Sequence, residues 1–187
     1  MTDIHDALER AENEVVTRQP PKTPLAQIRL LMRAEKGSTK AVASRLGVSQ
    51  RTVERYLAGQ RKNPRKPLAA ALVREVAKAW QPRVKRRRRQ EAAASKGLTV
   101  ETRARFGYTA PIGTTDDPRM RRLTVHLPPE YARPLLNAQD QGASDQELRG
   151  IVARGLQDIY FRDNGRRADN LEVELTDIDY IDVSFND

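Results

Sequence analysis

The stretch from Ser38 to Leu57 constrains this chain more than any other, because its small, flexible, apolar and capping residues follow one another at the offsets of two helices joined by a tight turn. Ala43 stands four residues before Gly47, where a small side chain lets two helices approach closely and glycine permits the turn. Val48 is placed to plug that turn from inside, and Ser49 sits where a helix N-cap belongs. Beyond it, Val53, Tyr56 and Leu57 recur at helical spacing and face a core, which leaves Gln50, Arg51, Thr52, Glu54 and Arg55 outward. The order of these residues predicts a helix-turn-helix whose second helix presents a polar, cationic face to a partner.

The flanks extend the helical reading. Ile4, Ala7, Leu8, Ala11 and Val15 form the apolar stripe of an amphipathic helix that Pro20 and Pro21 bring to an end. A second helix follows Pro24, with Ile28, Leu31 and Met32 on one face, and runs towards Gly37. After Gly59 the arm Gln60-Arg-Lys-Asn-Pro-Arg-Lys66 carries four positive charges, and an alanine-rich helix continues from Pro67 to about Trp80. We therefore expect an all-α helix-turn-helix domain over residues 1–82 and a basic linker over residues 83–97. That linker holds Lys85, Arg86, Arg87, Arg88 and Arg89, a run that suits a solvated connector or a phosphate clamp.

Charge is unevenly spread. Residues 1–90 carry 22 Lys and Arg against 8 Asp and Glu, a net +14, whereas residues 91–187 carry 12 against 17, a net −5. A basic half attracts polyphosphate, because every neutralised phosphate releases condensed counterions, while an acidic half is better suited to meeting protein. The candidate DNA contacts are thus Ser49, Gln50, Arg51, Thr52 and Arg55 on the second helix, Arg61, Lys62, Arg65 and Lys66 on the arm, and Lys85 to Arg89 on the linker.

The second half alternates like strands at Leu98 to Arg103 and at Arg122 to Leu127, and again at Leu171 to Leu175 and Ile178 to Phe185, which make one or two further strands. Two helices separate the second strand from the third. One starts at Pro128-Pro129 and carries Tyr131, Leu135 and Leu136; the other starts at Ser144, with Glu147 completing a capping box. Residues 98–187 are expected to form a small α+β domain with antiparallel strands and its helices on one sheet face. The alternation of acid with apolar residues from Asp177 to Asp182 suits a strand with one wet face.

Several function classes fall away. With no cysteine and only His5 and His126, the chain offers no disulfide, thiolate nucleophile, iron–sulfur cluster or histidine-rich metal site. No apolar run approaches the roughly 20 residues of a membrane span, and Met1 to Asp6 have no leader character, so a cytoplasmic protein is expected, without membrane partners and with no intrinsic cofactor or metal.

Several segments together resemble the telomere terminal proteins of linear Streptomyces chromosomes and plasmids. They are Pro20 to Thr23, Ala34 to Ala41, Arg45 to Val53, Gly59 to Lys66, Glu101 to Asp117 and Thr176 to Ile181. The resemblance runs over nearly the whole chain, and its central and C-terminal segments make it specific. It implies a protein that binds telomeric DNA in the nucleoid at replicon ends and becomes covalently joined to the 5′ DNA end. A side-chain hydroxyl of such a protein primes DNA synthesis, together with a telomere-associated protein that binds the 3′ overhang and a DNA polymerase. The linked threonine of the family lies in the segment that matches Gly113-Thr-Thr-Asp-Asp117, which carries the role to Thr114, with Thr115 as the runner-up. On this reading the chain is a nucleotidyl acceptor and not a turning-over enzyme.

A threonine hydroxyl is a poor nucleophile at neutral pH and needs a base or metal to activate it. No His, Lys or Cys constellation adjoins Thr114, so Mg2+ and the deoxynucleotide would come with the polymerase, and the threonine needs a loop able to enter a foreign active site. Pro111, Gly113 and Pro118 supply such a loop. The competing reading is a helix-turn-helix transcriptional regulator whose C-terminal domain dimerises or senses an effector. A relaxase or recombinase is disfavoured, since Tyr56, Tyr108, Tyr131, Tyr160 and Tyr180 lie in no recognisable histidine or arginine constellation.

Overall fold

The computed structural model describes residues 3–109, 119–162 and 172–187, and within them the chain is mostly helical, with eight α-helices and a three-stranded antiparallel sheet. It divides into two compact units. A basic unit spans Val16–Val84, and a sheet unit is assembled from Met1–Val15 and Lys85–Asp187.

The basic unit packs four helices, α2 (Pro24–Ala34), α3 (Thr39–Leu46), α4 (Gln50–Leu57) and α5 (Lys66–Ala79). Thr23, Ser38 and Ser49 cap the first three with their hydroxyls, each accepting from the backbone N–H three residues on. One apolar stripe from each helix meets in a core of Ile28, Leu31, Val42, Leu46, Val53, Tyr56, Leu72 and Val76. The two ends of the unit are tied together, for the indole Nε1 of Trp80 donates to the Arg18 carbonyl at 2.7 Å and the Thr17 N–H donates to Gln81 Oε1 at 2.8 Å.

The sheet unit is built on β1 (Leu98–Thr109), which lies between β2 (Arg119–Leu127) and β3 (Glu172–Phe185) with both pairings antiparallel. Val100 faces Val125 on one side and Val183 on the other, and Thr102 likewise faces Leu123 and Ile181. These positions form one apolar face. α1 (Ile4–Glu14), α7 (Pro129–Asp140) and α8 (Asp145–Leu156) contribute Ile4, Leu8, Leu135, Leu148, Val152 and Leu156 to the same core. The expected capping box starts α8, with Ser144 and Glu147 satisfying each other's backbone N–H. Gly97, at φ 69°, precedes β1 where a Cβ would come within 2.2 Å of the Leu127 carbonyl oxygen, so no larger residue fits that approach.

Three expectations are corrected here. The helix of residues 4–14 belongs to the sheet unit and not to the helical one: Ile4, Ala7, Leu8 and Ala11 are buried in the sheet unit's core, and the Ile4 N–H donates to Asp145 Oδ1 at 2.7 Å. Its apolar stripe announced a buried face without naming the core that buries it. The basic stretch 83–97, expected as a linker, is helical: α6 (Pro82–Glu91) runs into a π-helical turn (Ala92–Lys96), and the boundary between the two units falls within α6. Finally, the third and fourth strands are one. β3 carries a bulge in which Asp177, Ile178 and Asp179 stand opposite Ala104 alone, and Asp177 takes the left-handed φ of 46° that a short polar side chain tolerates. The bulge resets the alternation, which is why the sequence reads as two strands.

Candidate nucleic-acid interface

The join between α3 and α4 sets the geometry of the candidate site. α3 ends on Gly47 at φ 66° and ψ 34°, where a residue with a Cβ is strained. The Gly47 N–H donates to the Ser44 carbonyl at 3.2 Å and the Val48 N–H to the Ala43 carbonyl at 3.0 Å, a Schellman closure that satisfies two of the carbonyls in the last turn of α3. Val48 packs against the core, Ala43 is buried, and two residues later Ser49 caps α4. The chain therefore reverses within a few residues, and α4 is held with Val53 and Tyr56 inward and Gln50, Arg51 and Glu54 exposed.

On that outer face the expected residues divide into two groups. Gln50 Nε2 donates to Thr39 Oγ1 at 3.0 Å and to Glu54 Oε1 at 2.9 Å, and the Ser49 and Thr52 hydroxyls pair at 2.9 Å, so these three are preorganised by protein partners. By contrast, the side chains of Arg51, Arg55, Arg61, Lys62, Arg65 and Lys66 make no hydrogen bond or ion pair among the described residues. Arg55 is half-buried and the other five are exposed.

Electrostatics sharpen the contrast. The basic unit carries 16 Lys and Arg against 3 Asp and Glu, a net +13 in one compact body. Two of its three acids are spent on a single cation, as Arg45 bridges Glu35 and Glu75 at 2.8 Å each. Burial works to raise the Glu75 pKa, but the guanidinia of Arg45 and Arg74 outweigh it and hold the carboxyl below its ordinary value. The same pairing raises Arg45 further, chiefly through the hydrogen bond to Glu75. Arg74 joins the same cluster at 3.0 Å from Glu75, so two of the unit's three acids are committed to Arg45 and Arg74, and neither pairs with the cations of α4 or the following arm.

The run at residues 85–89 divides differently. Lys85 is only 8% exposed, its Nζ donates to Asn13 Oδ1 at 2.6 Å, and burial pushes its pKa down against the opposing pull of Glu12 and Glu9. Arg89 of α6 ties together two further helices of the sheet unit: it pairs with Glu12 of α1, donates to Gln139 Oε1 at 2.7 Å and the Leu136 carbonyl at 3.0 Å on α7, and bridges Asp140 of α7 at 2.6 Å. Lys85 and Arg89, both expected as phosphate contacts, are thus engaged by protein groups, and reaching a phosphate would require breaking these contacts. Arg87 and Arg88 meet Glu91 and Asp187 at 2.8 Å each, and Arg86 is exposed. One helical turn brings residues 85 and 89 onto the same inward face, a periodicity hidden in a uniform basic string.

Thr114 and Thr115, together with Asp116 and Asp117, fall between β1 and β2 in the sequence and lie outside the described residues. The acidic C-terminal stretch is absorbed by arginines of the sheet unit: Arg103 meets Asp179 at 3.0 Å, Arg105 meets Asp177 at 3.4 Å, and Arg10 meets Asp182 at 2.9 Å. Among the described residues no group of His, Asp and Glu is placed to hold a metal ion, and no helix is long and apolar enough to cross a membrane.

Comparison with protein-family models, with curated proteins and with solved structures finds no match to this chain.

Proposed function

We propose that this protein binds duplex DNA through a helix-turn-helix formed by α3 and α4, and that it acts as a telomere terminal protein. The observation that carries the first half is the set of six cations, Arg51, Arg55, Arg61, Lys62, Arg65 and Lys66, left without protein partners on one small body of net charge +13. α4 enters the major groove, where Arg51 and Arg55 reach base edges, while Arg61, Lys62, Arg65 and Lys66 hold phosphates. Gln50 and Thr52, already oriented by Thr39 and Ser49, add polar contacts at little further cost in side-chain order.

The second half rests on the resemblance of Gly113 to Asp117 and the segments around it to the telomere terminal proteins. In this reading Thr114 Oγ1 forms a phosphoester bond to the α-phosphorus of a deoxynucleoside triphosphate as the α–β phosphoanhydride bond breaks, pyrophosphate departs, and the polymerase takes up the hydroxyl proton. A protein that binds the 3′ overhang completes the assembly at replicon ends within the nucleoid.

Two measurements test the proposal. Fluorescence anisotropy with telomeric and scrambled duplexes, across a salt series, reads the DNA-binding half. Incubation with a labelled deoxynucleotide, polymerase and telomeric template reads the priming half, and peptide mass spectrometry locates the linkage. DNA binding without labelling of any residue, with an active polymerase and the overhang-binding partner present, would select the transcriptional regulator instead.

A further inference from the structure

A cleft of about 630 Å³ opens in the basic unit beside the turn between α3 and α4. Its size is that of sites that take small organic ligands. Leu46, Val48, Tyr56 and Leu68 give it an apolar floor, and Arg61, Lys62 and Arg65 bring three unpaired cations to its rim. Thr52 and Asn63 add hydrogen-bonding side chains. Tyr56 lines the cleft although only 3% of its surface is exposed, and its hydroxyl has no hydrogen-bond partner among the described residues. Most of the ring is packed away, and the hydroxyl, which no group among the described residues claims, is free to bond a polar atom of a molecule seated in the cleft.

An apolar floor, a lone hydroxyl and a cationic rim together select a ligand with a flat, hydrogen-bonding ring at one end and a multiply charged anion at the other. We infer that this cleft binds a nucleotide, its base against Leu46, Val48 and Tyr56 and its phosphate on Arg61, Lys62 and Arg65. The ligand is either a free mononucleotide or an unpaired nucleotide of bound DNA. The second source rests on the DNA-binding reading above, since Thr52 belongs both to the cleft and to α4, which that reading places on the duplex.

The test uses the full chain and deoxyadenosine 5′-monophosphate, followed by calorimetry and by amide NMR. We expect saturable binding at least about tenfold tighter than that of inorganic phosphate or of deoxyadenosine, with the shifted amides centred on Val48, Thr52, Tyr56 and Asn63. Tyr56→Phe, which keeps the ring and its packing, should weaken the nucleotide about two- to tenfold, the effect of one neutral hydrogen bond, while thermal stability and duplex affinity stay unchanged. Lys62→Ala and Arg65→Ala should reduce the salt dependence of nucleotide binding. A 2-aminopurine placed unpaired in a duplex, whose emission changes on binding while a paired one's does not, assigns the ligand to DNA; the free nucleotide binding without that change assigns it to solution.

Inorganic phosphate binding as tightly as the mononucleotide would reduce the cleft to a general anion patch and overturn the inference. So would Tyr56→Phe binding like the wild type. Normal duplex affinity with no nucleotide binding refutes this inference alone, whereas nucleotide binding without duplex binding refutes the interface on α4 alone.

Discussion

Truncating Leu8 to alanine separates the two units experimentally, because this residue lies at the start of the chain, next in sequence to the basic unit, yet is buried in the core of the sheet unit. Leu8 is 0% exposed, so the substitution removes three buried carbons worth about 2.4 kcal/mol at about 0.8 kcal/mol each. The space left behind adds a cavity term that brings the total to about 3–4 kcal/mol. The neighbours cannot easily fill it: Ile4, Ala7 and Ala11 are held on the same helix, and α1 is pinned by the Ile4 N–H on Asp145 and by Arg10 on the Ile181 carbonyl at 2.9 Å. A body of this size has about 6–18 kcal/mol of total stability, so the loss is large without being fatal. Urea unfolding followed by far-ultraviolet circular dichroism measures it. Duplex affinity by anisotropy, read well below the transition, should be unchanged, because the surface proposed to bind DNA lies in the other unit. A stability change under about 1 kcal/mol, or a loss of DNA affinity with normal unfolding, would refute the assignment of α1 to the sheet unit.

Arg51→Ala or Arg55→Ala should weaken specific duplex binding by about 1–3 kcal/mol if the guanidinium reads a guanine edge, whereas neutralising Arg65 and Lys66 should lower the salt slope by about one unit per lost contact. Anisotropy over a salt series distinguishes the two. Arg89→Ala should cost the sheet unit about 1–3 kcal/mol, measured by urea unfolding, and leave the salt slope of DNA binding alone, because its charge is committed to Glu12 and Asp140. Glu75 has a folded pKa held below the ordinary glutamate value, so its ion pairs stabilise the basic unit above that ordinary value and the contribution disappears as pH falls through the lower folded value. Thermal unfolding across pH 3–6, an order-of-magnitude window about that carboxylate's range, should show a steeper acid loss in the wild type than in Glu75→Gln. Thr114→Ala should abolish nucleotide labelling with DNA affinity intact, and a nucleotide mass on Thr115, on Thr109 or on a tyrosine would move the priming role elsewhere.

What local sequence could reveal about this protein is what local physics decides. Gly47 needs a left-handed backbone, Ser49 and Ser144 need nearby N–H groups to cap, and the spacing of Val53, Tyr56 and Leu57 turns one side of α4 inward; each requirement is met within a few residues, so the α3–α4 turn and the start of α8 were legible before any fold was known. The outward placement of Gln50 and Arg51 followed from the same periodicity. Contacts between distant segments were not legible. An amphipathic stripe on residues 4–14 is equally satisfied by either core, and only the packed structure chose β3 and α8 as its neighbours. A row of five basic residues looks uniform in sequence, and only the helix of α6 and the facing Glu12, Asn13 and Asp140 turned Lys85 and Arg89 into internal clamps while Arg86 stayed exposed. The cleft beside α4 is likewise a tertiary product, since its walls come from α3, the turn, α4, the arm and α5, and no single piece contains it. Charge pattern and capping are encoded over a few residues; which charges remain available to a partner is decided by burial, which depends on the whole chain.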